Sequence, residues 1–290
     1  MASQNETLLT AARAGDAREI RNSLASGEVN IEARTKAGPC QASETPLILA
    51  AKSGSAEAVG ALIDAGASVD ANSGVGMTAL CYAAKKGSVE ICEMLISSGA
   101  DVNCTDGDQL WTPLHHAAFS GSVKIASRIV EAGGDVNKGN LHQDTPLDIA
   151  AYHGHIDLAR WLISSGSKIS AEKPSLFDAA KNGKVEMVEL LLDCGVSPDI
   201  SDSYGMTALH AAVDEGDSSI VRVLVERGAN INAVDEHLWT PLHVAVAGQY
   251  ENIVQYLIEK GATKEAKTSK GERAIDIAES RGYDEMKRYL

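Results

Sequence analysis

The residues best equipped for chemistry in this 290-residue chain are its eight histidines, five cysteines and forty Asp and Glu side chains. Adjacent imidazoles occur at His115-His116 and His153-Gly154-His155, the kind of pairing from which a metal site is built. No Cys or carboxylate stands at ligand spacing from either pair, so no metal is expected. The cysteines (Cys40, Cys81, Cys92, Cys104 and Cys194) are odd in number and lack a Cys-x-x-Cys spacing, which reads as reduced thiols in an intracellular protein. Nucleophile elbows, phosphate-binding Gly-Lys loops, His-Glu-x-x-His and paired-glycine dinucleotide turns are all missing. The acidic residues spread along the chain instead of pairing for acid–base work. Neither a catalytic residue nor a cofactor is expected. The chemistry to look for is recognition.

What would position recognition residues is a repeat. Trp111-Thr112-Pro113-Leu114-His115 returns as Trp239-Thr240-Pro241-Leu242-His243, and weaker copies are anchored at Glu6, Thr45, Thr78, Thr145, Pro174, Thr207 and Arg273, mostly 33 residues apart. A period of this size marks a helical repeat array. One unit shows how it works. Asp202-Ser203-Tyr204-Gly205 is turn chemistry, and Thr207 can cap a short helix carrying Leu209, Ala211 and Ala212 that Gly216 stops. Where Pro follows the Thr, it fills the first helical turn, where a missing N–H costs nothing. Ile220 to Val225 then give a second amphipathic helix, ended by Gly228. Such a pair cannot bury its own apolar face, so stacking is the folding event.

Thr112-Pro113-Leu114-His115-x-Ala117-Ala118, Gly121 and the preceding Gly99-Ala100-Asp101-Val102-Asn103 resemble the ankyrin repeat family, and the resemblance covers essentially the whole chain. It implies an all-α fold, a solenoid of helix-turn-helix units with β-hairpin fingers. Fingers and first helices would line a concave, non-catalytic face that binds protein. It also implies that His115, His210 and His243 hydrogen-bond between adjacent fingers. Asn103 would match a site hydroxylated by 2-oxoglutarate oxygenases, with a bonding role in the hairpin as the equal alternative; Asn137 and Asn232 fit less fully.

Nine units are expected, at 5–39, 40–72, 73–106, 107–139, 140–170, 171–201, 202–234, 235–267 and 268–290, with polar outward residues such as Arg13, Arg18, Arg21, Lys287 and Arg288 on atypical end units. The first interval is too long, across 34–41, and predicts an enlarged first finger. The interval into the sixth unit is too short and places either a join between two segments near 170–174 or a trimmed loop in one stack.

The slots least constrained by stacking are the finger tip, the residue before Thr and the two before the first Gly. They hold Trp111, Phe119, His142, Tyr152, His153, Tyr204, Met206, Asp214, Glu215, Glu236, His237 and Trp239. In a chain only 4% aromatic, this concentration suggests a partner-binding face; the alternative is packing of Trp111 and Trp239 against a neighbouring finger. Trp161, on a second helix, reads as inter-repeat packing. Residues 186–251 hold twelve acidic side chains against Arg222 and Arg227, which suits a basic peptide segment, methylated or not, or simply a solvated face. A net charge of −14 disfavours nucleic acid. No apolar run suggests a membrane span, and residues 1–10 do not read as a signal peptide. The expectation is a monomeric cytoplasmic or nuclear scaffold, adaptor or inhibitor, with a regulatory subunit of an enzyme as the second class.

Overall fold

In the computed structural model, the described residues are 2–36, 43–107, 109–168 and 175–290. The short first-helix motif does what its residues dictate. Thr112 lies in extended backbone and its hydroxyl accepts the His115 N–H, Pro113 opens the helix, and Gly121, at φ 72°, closes it. Ser122 then caps the second helix, with an apolar face of Ile125, Ala126 and Ile129 turned inward.

Among the described residues this unit recurs as nine pairs. They are α1 (Ala2–Ala14) with α2 (Ala17–Ala25), α3 (Pro46–Ser53) with α4 (Ala56–Asp64), α5 (Ala79–Lys86) with α6 (Val89–Ser97), and α7 (Pro113–Ser120) with α8 (Val123–Glu131). Next come α9 (Pro146–His153) with α10 (Ile156–Ser164), α11 (Ser175–Lys181) with α12 (Val185–Asp193), and α13 (Ala208–Asp214) with α14 (Ser218–Glu226). The last are α15 (Pro241–Ala247) with α16 (Glu251–Glu259), and α17 (Ala274–Arg281) with a 3-10 turn at Met286–Arg288.

The described residues form two compact units, one drawn from 2–36, 43–107, 109–153 and 157–167, the other from 154–156, 168 and 175–290. In the first, α1, α3, α5, α7 and α9 stack in succession, and α2, α4, α6 and α8 form a parallel layer. In the second, α11, α13, α15 and α17 stack, backed by α12, α14 and α16. Each unit is an all-α repeat solenoid. The core is built from one leucine and an Ala-Ala or Ala-Val step on most first helices: Leu80, Ala83 and Ala84 are buried, as are Leu114, Ala117 and Ala118, and Leu209, Ala212 and Val213. Alanine lets first helices approach closely, and each buried leucine contributes about 2 kcal/mol.

The fingers are turns rather than strands. The described residues hold only two isolated β-bridges, Asn72 with Thr78 and Ser201 with Thr207. Among the described residues, the fingers at Asp106, Asn140, Asp202, Asp235 and Thr268 are each closed by a side-chain oxygen that gathers two backbone N–H groups, whereas the finger at Ser73 is closed by backbone bonds alone. Asp202 Oδ1 accepts from Tyr204 (2.8 Å) and Met206 (2.9 Å), and Asp235 Oδ1 from His237 and Trp239 (both 2.8 Å). Successive fingers are tied by one backbone bond each, from Gly107 N to Val75 O, Leu141 N to Gln109 O, Glu236 N to Tyr204 O and Ser269 N to His237 O. That approach leaves no room at Gly76, where a Cβ would run into the Gly107 backbone.

Most of the long first finger (37–41) and the join expected near 170–174 lie outside the described residues. Arg13, Arg18, Arg21 and Arg288 are exposed and Lys287 is half-buried. Arg273 stands in the Thr slot of the last repeat. Its backbone N–H donates to Asp276 Oδ2 (2.8 Å) while its guanidinium grips both carboxylate oxygens, so Asp276, three residues on, takes over an end of the cap and the arginine side chain accepts nothing. Among the described residues, no helix is long and apolar enough to cross a membrane.

Candidate interaction surface

The Thr-x-Leu-His module sets the positions from which surface residues project. Thr112 N donates to His115 Nδ1 (3.1 Å), so that nitrogen is the acceptor, and Nε2 is left to donate to Asp144 O of the next finger (2.9 Å). His210 repeats this between Thr207 N (3.2 Å) and Trp239 O (3.1 Å). His243 departs from the expected inter-finger bond. It caps Thr240 N (3.1 Å), but its buried Nε2, near the Ala266 and Glu272 backbone, finds no partner of ordinary geometry. Burial lowers the pKa of all three imidazoles, outweighing the backbone acceptors that act to raise it. They are neutral structural groups. Asp148 takes the same slot in the fifth repeat, accepting from Thr145 N (2.8 Å) and Oγ1 (2.7 Å).

Upon this frame the first unit carries a continuous line of rings. Trp111 is half-buried and packs on imidazoles of its own repeat, His115 at 6.0 Å and His116 at 5.3 Å between centroids. It continues to Phe119 (6.2 Å), from there to His153 (4.9 Å, edge-on) and then to Tyr152 (5.1 Å, edge-on). Phe119 is 39% and Tyr152 49% exposed, and Lys85 Nζ lies 5.9 Å from the Phe119 ring centre. The Trp111 backbone is fixed by Asp106, whose Oδ1 accepts its N–H (2.9 Å). Asp106 Oδ2 sits 3.5 Å from His116 Nε2. Burial pushes the Asp106 carboxyl up, yet His116 and the Trp111 and Gln109 N–H groups hold its pKa below the ordinary value. His142, on the neighbouring finger, is exposed and its N–H donates to Asn140 Oδ1 (2.8 Å).

The second unit carries a different surface. Tyr204 stands 59% exposed at a finger tip, and Glu236 and His237 are exposed on the next finger, their side chains 3.6 Å apart. Trp239 is half-buried against His243 (6.1 Å), Met206 is half-buried, and Asp214 and Glu215 are exposed at the end of α13. Asp202, Asp217 and Asp235 are occupied as turn or cap acceptors. Trp161 is half-buried. Asn103 accepts Asp135 N–H (3.0 Å) and donates to Gly133 O (3.0 Å), and Asn137 and Asn232 donate likewise to the following repeat.

Sequence reasoning missed Leu110, Leu141 and Leu238. All three are exposed at finger tips, and Leu110 (φ 55°) and Leu238 (φ 58°) adopt a left-handed backbone. The same slot is Gly76, Gly205 and Gly271 in other repeats, each at positive φ. Aligning the repeats on their Thr would have shown leucine where glycine is at home.

A family model described as ankyrin repeats matches three times, over residues 8–106, 103–173 and 176–268. The mouse protein fem-1 homolog A-like is 38% identical over 77 residues, 25% of this chain and 12% of that protein. The mouse ankyrin repeat and SOCS box protein 16 is 37% identical over 71 residues, 23% of this chain and 16% of its own length. A putative ankyrin repeat protein of Rickettsia felis is 34% identical over 76 residues, 24% of this chain and 33% of its own. This chain therefore matches a third or less of each curated relative. The crystal structure of the human ASB11 ankyrin repeat domain superposes with a TM-score of 0.70 at 26% identity, covering 76% of this chain and 99% of that one.

Proposed function

Because the chain belongs to the ankyrin repeat family, whose members are generally protein-binding modules, we propose that it is a non-catalytic scaffold or adaptor that holds a protein partner on its fingers and first helices. One observation carries the reading. In a chain 4% aromatic, Trp111, Phe119, His153 and Tyr152 form one unbroken ring contact line on the first unit, partly open to solvent. Stacking the repeats does not require it, since the buried leucines and alanines do that. Half-exposed, pre-packed aromatics lose little entropy on binding and serve as interface anchors.

The second unit favours a partner of different chemistry. Tyr204 and Glu236 meet on adjoining fingers, where the Glu236 N–H donates to Tyr204 O (2.8 Å), Trp239, Asp214 and Glu215 belong to the same two repeats, and residues 186–251 carry twelve acids against two arginines. That composition fits a Lys- or Arg-rich segment, with cation–π contact to Tyr204 worth about 0.5–1 kcal/mol. Two surfaces of unlike chemistry suit an adaptor, or a targeting subunit that delivers an enzyme. Co-purification of a stoichiometric enzyme would separate the second from the first.

The test is anisotropy titration of a labelled Lys/Arg-rich peptide, with and without trimethylated lysine, against the whole chain. W239A and Y204A should each weaken binding about two- to fivefold, while W111A should not. Unchanged affinity in both second-unit variants overturns the basic-segment reading. Tighter binding of the methylated peptide would make the face a reader of modified tails.

A further inference from the structure

In the third repeat the histidine slot is filled by Cys81, and the sequence around it is otherwise that of a normal cap: Cys81 N donates to Thr78 Oγ1 (3.4 Å). Where His115 and His210 reach a carbonyl of the following finger, Cys81 reaches a second thiol. Its Sγ lies 3.9 Å from Cys104 Sγ, on the stretch leading into the finger of Trp111, and the Thr78 hydroxyl is 3.5 Å from each sulfur. The polar bridge between fingers is thus replaced, at this one joint, by a pair of cysteines in contact.

We propose that Cys81 and Cys104 are a redox site that closes to a reversible disulfide, covalently joining the start of α5 to the base of the next finger. Sulfurs in contact need only about 2 Å of closing motion to reach bonding distance, within the range of side-chain rotation and a small loop shift. Cys104 is half-buried and Cys81 fully buried, which assigns the roles. Cys104 is the sulfur a small oxidant meets, and Cys81 resolves. The entry role of Cys104 rests on its exposure, since burial and its hydrogen bond to Cys81 raise its pKa. Hydrogen bonds from Cys104 and Thr78 hold the Cys81 thiol below its ordinary pKa despite burial, which favours the Cys81 thiolate that the resolving step uses.

With a small-molecule disulfide such as oxidised glutathione as the electron acceptor, the Cys104 thiolate attacks one of its sulfurs. A Cys104–glutathione mixed disulfide forms and a glutathione thiolate leaves. The Cys81 thiolate then attacks Cys104 Sγ, forming the Cys81–Cys104 bond and expelling the second glutathione thiolate. Two protein thiols are oxidised, one glutathione disulfide is reduced to two thiols, and the two protons end on glutathione. The closed bond would hold the stretch from Cys104 to Asp106, and Asp106 fixes the Trp111 backbone.

The experiment equilibrates the native full-length chain with oxidised and reduced glutathione, alkylates it under native conditions, and maps unreduced peptides by mass spectrometry. The expected result is a dominant Cys81–Cys104 linked peptide, lighter by two hydrogens than the sum of its parts. It should vanish with dithiothreitol and be absent from C104S. Native wild type is the deciding sample, so poor folding of C104S does not affect the outcome. The proposal is overturned if both thiols are alkylated, if Cys104 stops at the glutathione adduct with Cys81 alkylated, or if the dominant link joins any other pair.

Discussion

Two leucines show what a single residue can reveal once its backbone is known. Leu110 and Leu238 hold φ values of 55° and 58° at exposed tips, 41% and 47% accessible, directly before Trp111 and Trp239. An L-residue in that region costs about 1–2 kcal/mol that glycine avoids, although glycine adds entropy to the unfolded chain. L110G and L238G should therefore be neutral or stabilising by up to about 1 kcal/mol in urea unfolding; a clear loss of stability would show the side chains to be structural. The same substitutions should weaken partner binding if the tips are contacts. The histidines give a prediction in pH. His115, His210 and His243 have folded pKa values below the unfolded 6.5, because burial disfavours the imidazolium and Nδ1 already accepts a threonine N–H. Below pH 6.5 the unfolded chain binds protons that the folded chain refuses, so stability is full above that value and falls as pH drops towards 5. Urea midpoints at pH 7.5 and 5.5 should show the fall, and H243Q should flatten it; an equal slope in H243Q would count against the assignment.

At the scale of elements, a repeat is held by its cap as much as by its core. Thr112 accepts the His115 N–H and its hydroxyl lies 2.8 Å from Nδ1, so T112A loses a cap and disturbs an inter-finger bridge together. Thr45 caps only Ile48 N. T112A should cost about 1–2 kcal/mol and T45A about 1 kcal/mol or less in denaturant unfolding, and the reverse order would break the argument. Helix positions were legible because the signals are local: Thr-Pro starts, Gly stops and a 33-residue period. Finger structure was not, because a turn closed by one carboxylate, as at Asp202 or Asp235, looks in sequence like the tip of a longer hairpin. The last repeat shows the limit from the other side. Arg273 breaks the Thr pattern and its side chain cannot accept an N–H, and only the contact with Asp276, held by the arginine at a pKa of about 2, shows that the bond to the residue in the histidine slot survived.

For the whole molecule, the repeat made the fold readable and hid the partner, since the residues that build the stack are those that recur. Trp111 and Phe119 could be picked out because they depart from the repeated frame; their joining to His153 and Tyr152 could not, because it depends on how α7 and α9 pack. Charge acts over a longer range than either. The chain carries a net −14, and the 186–251 stretch holds twelve acids against two arginines. Exposed charges at this density steer a cationic partner during approach, and the steering fades as the screening length shrinks from about 10 Å at 0.1 M salt to about 3 Å at 1 M. Ring contacts formed after docking are short-ranged and escape screening. For the Lys/Arg-rich peptide, association should slow by about tenfold between 50 and 500 mM salt, with dissociation changing much less. Asp214→Asn with Glu215→Gln should lower the association rate and its salt slope together, whereas Y204A should act mainly by speeding dissociation. Stopped-flow binding at several ionic strengths reads both rates. An association rate indifferent to salt would remove the electrostatic role of this face and leave its carboxylates as a solvated surface.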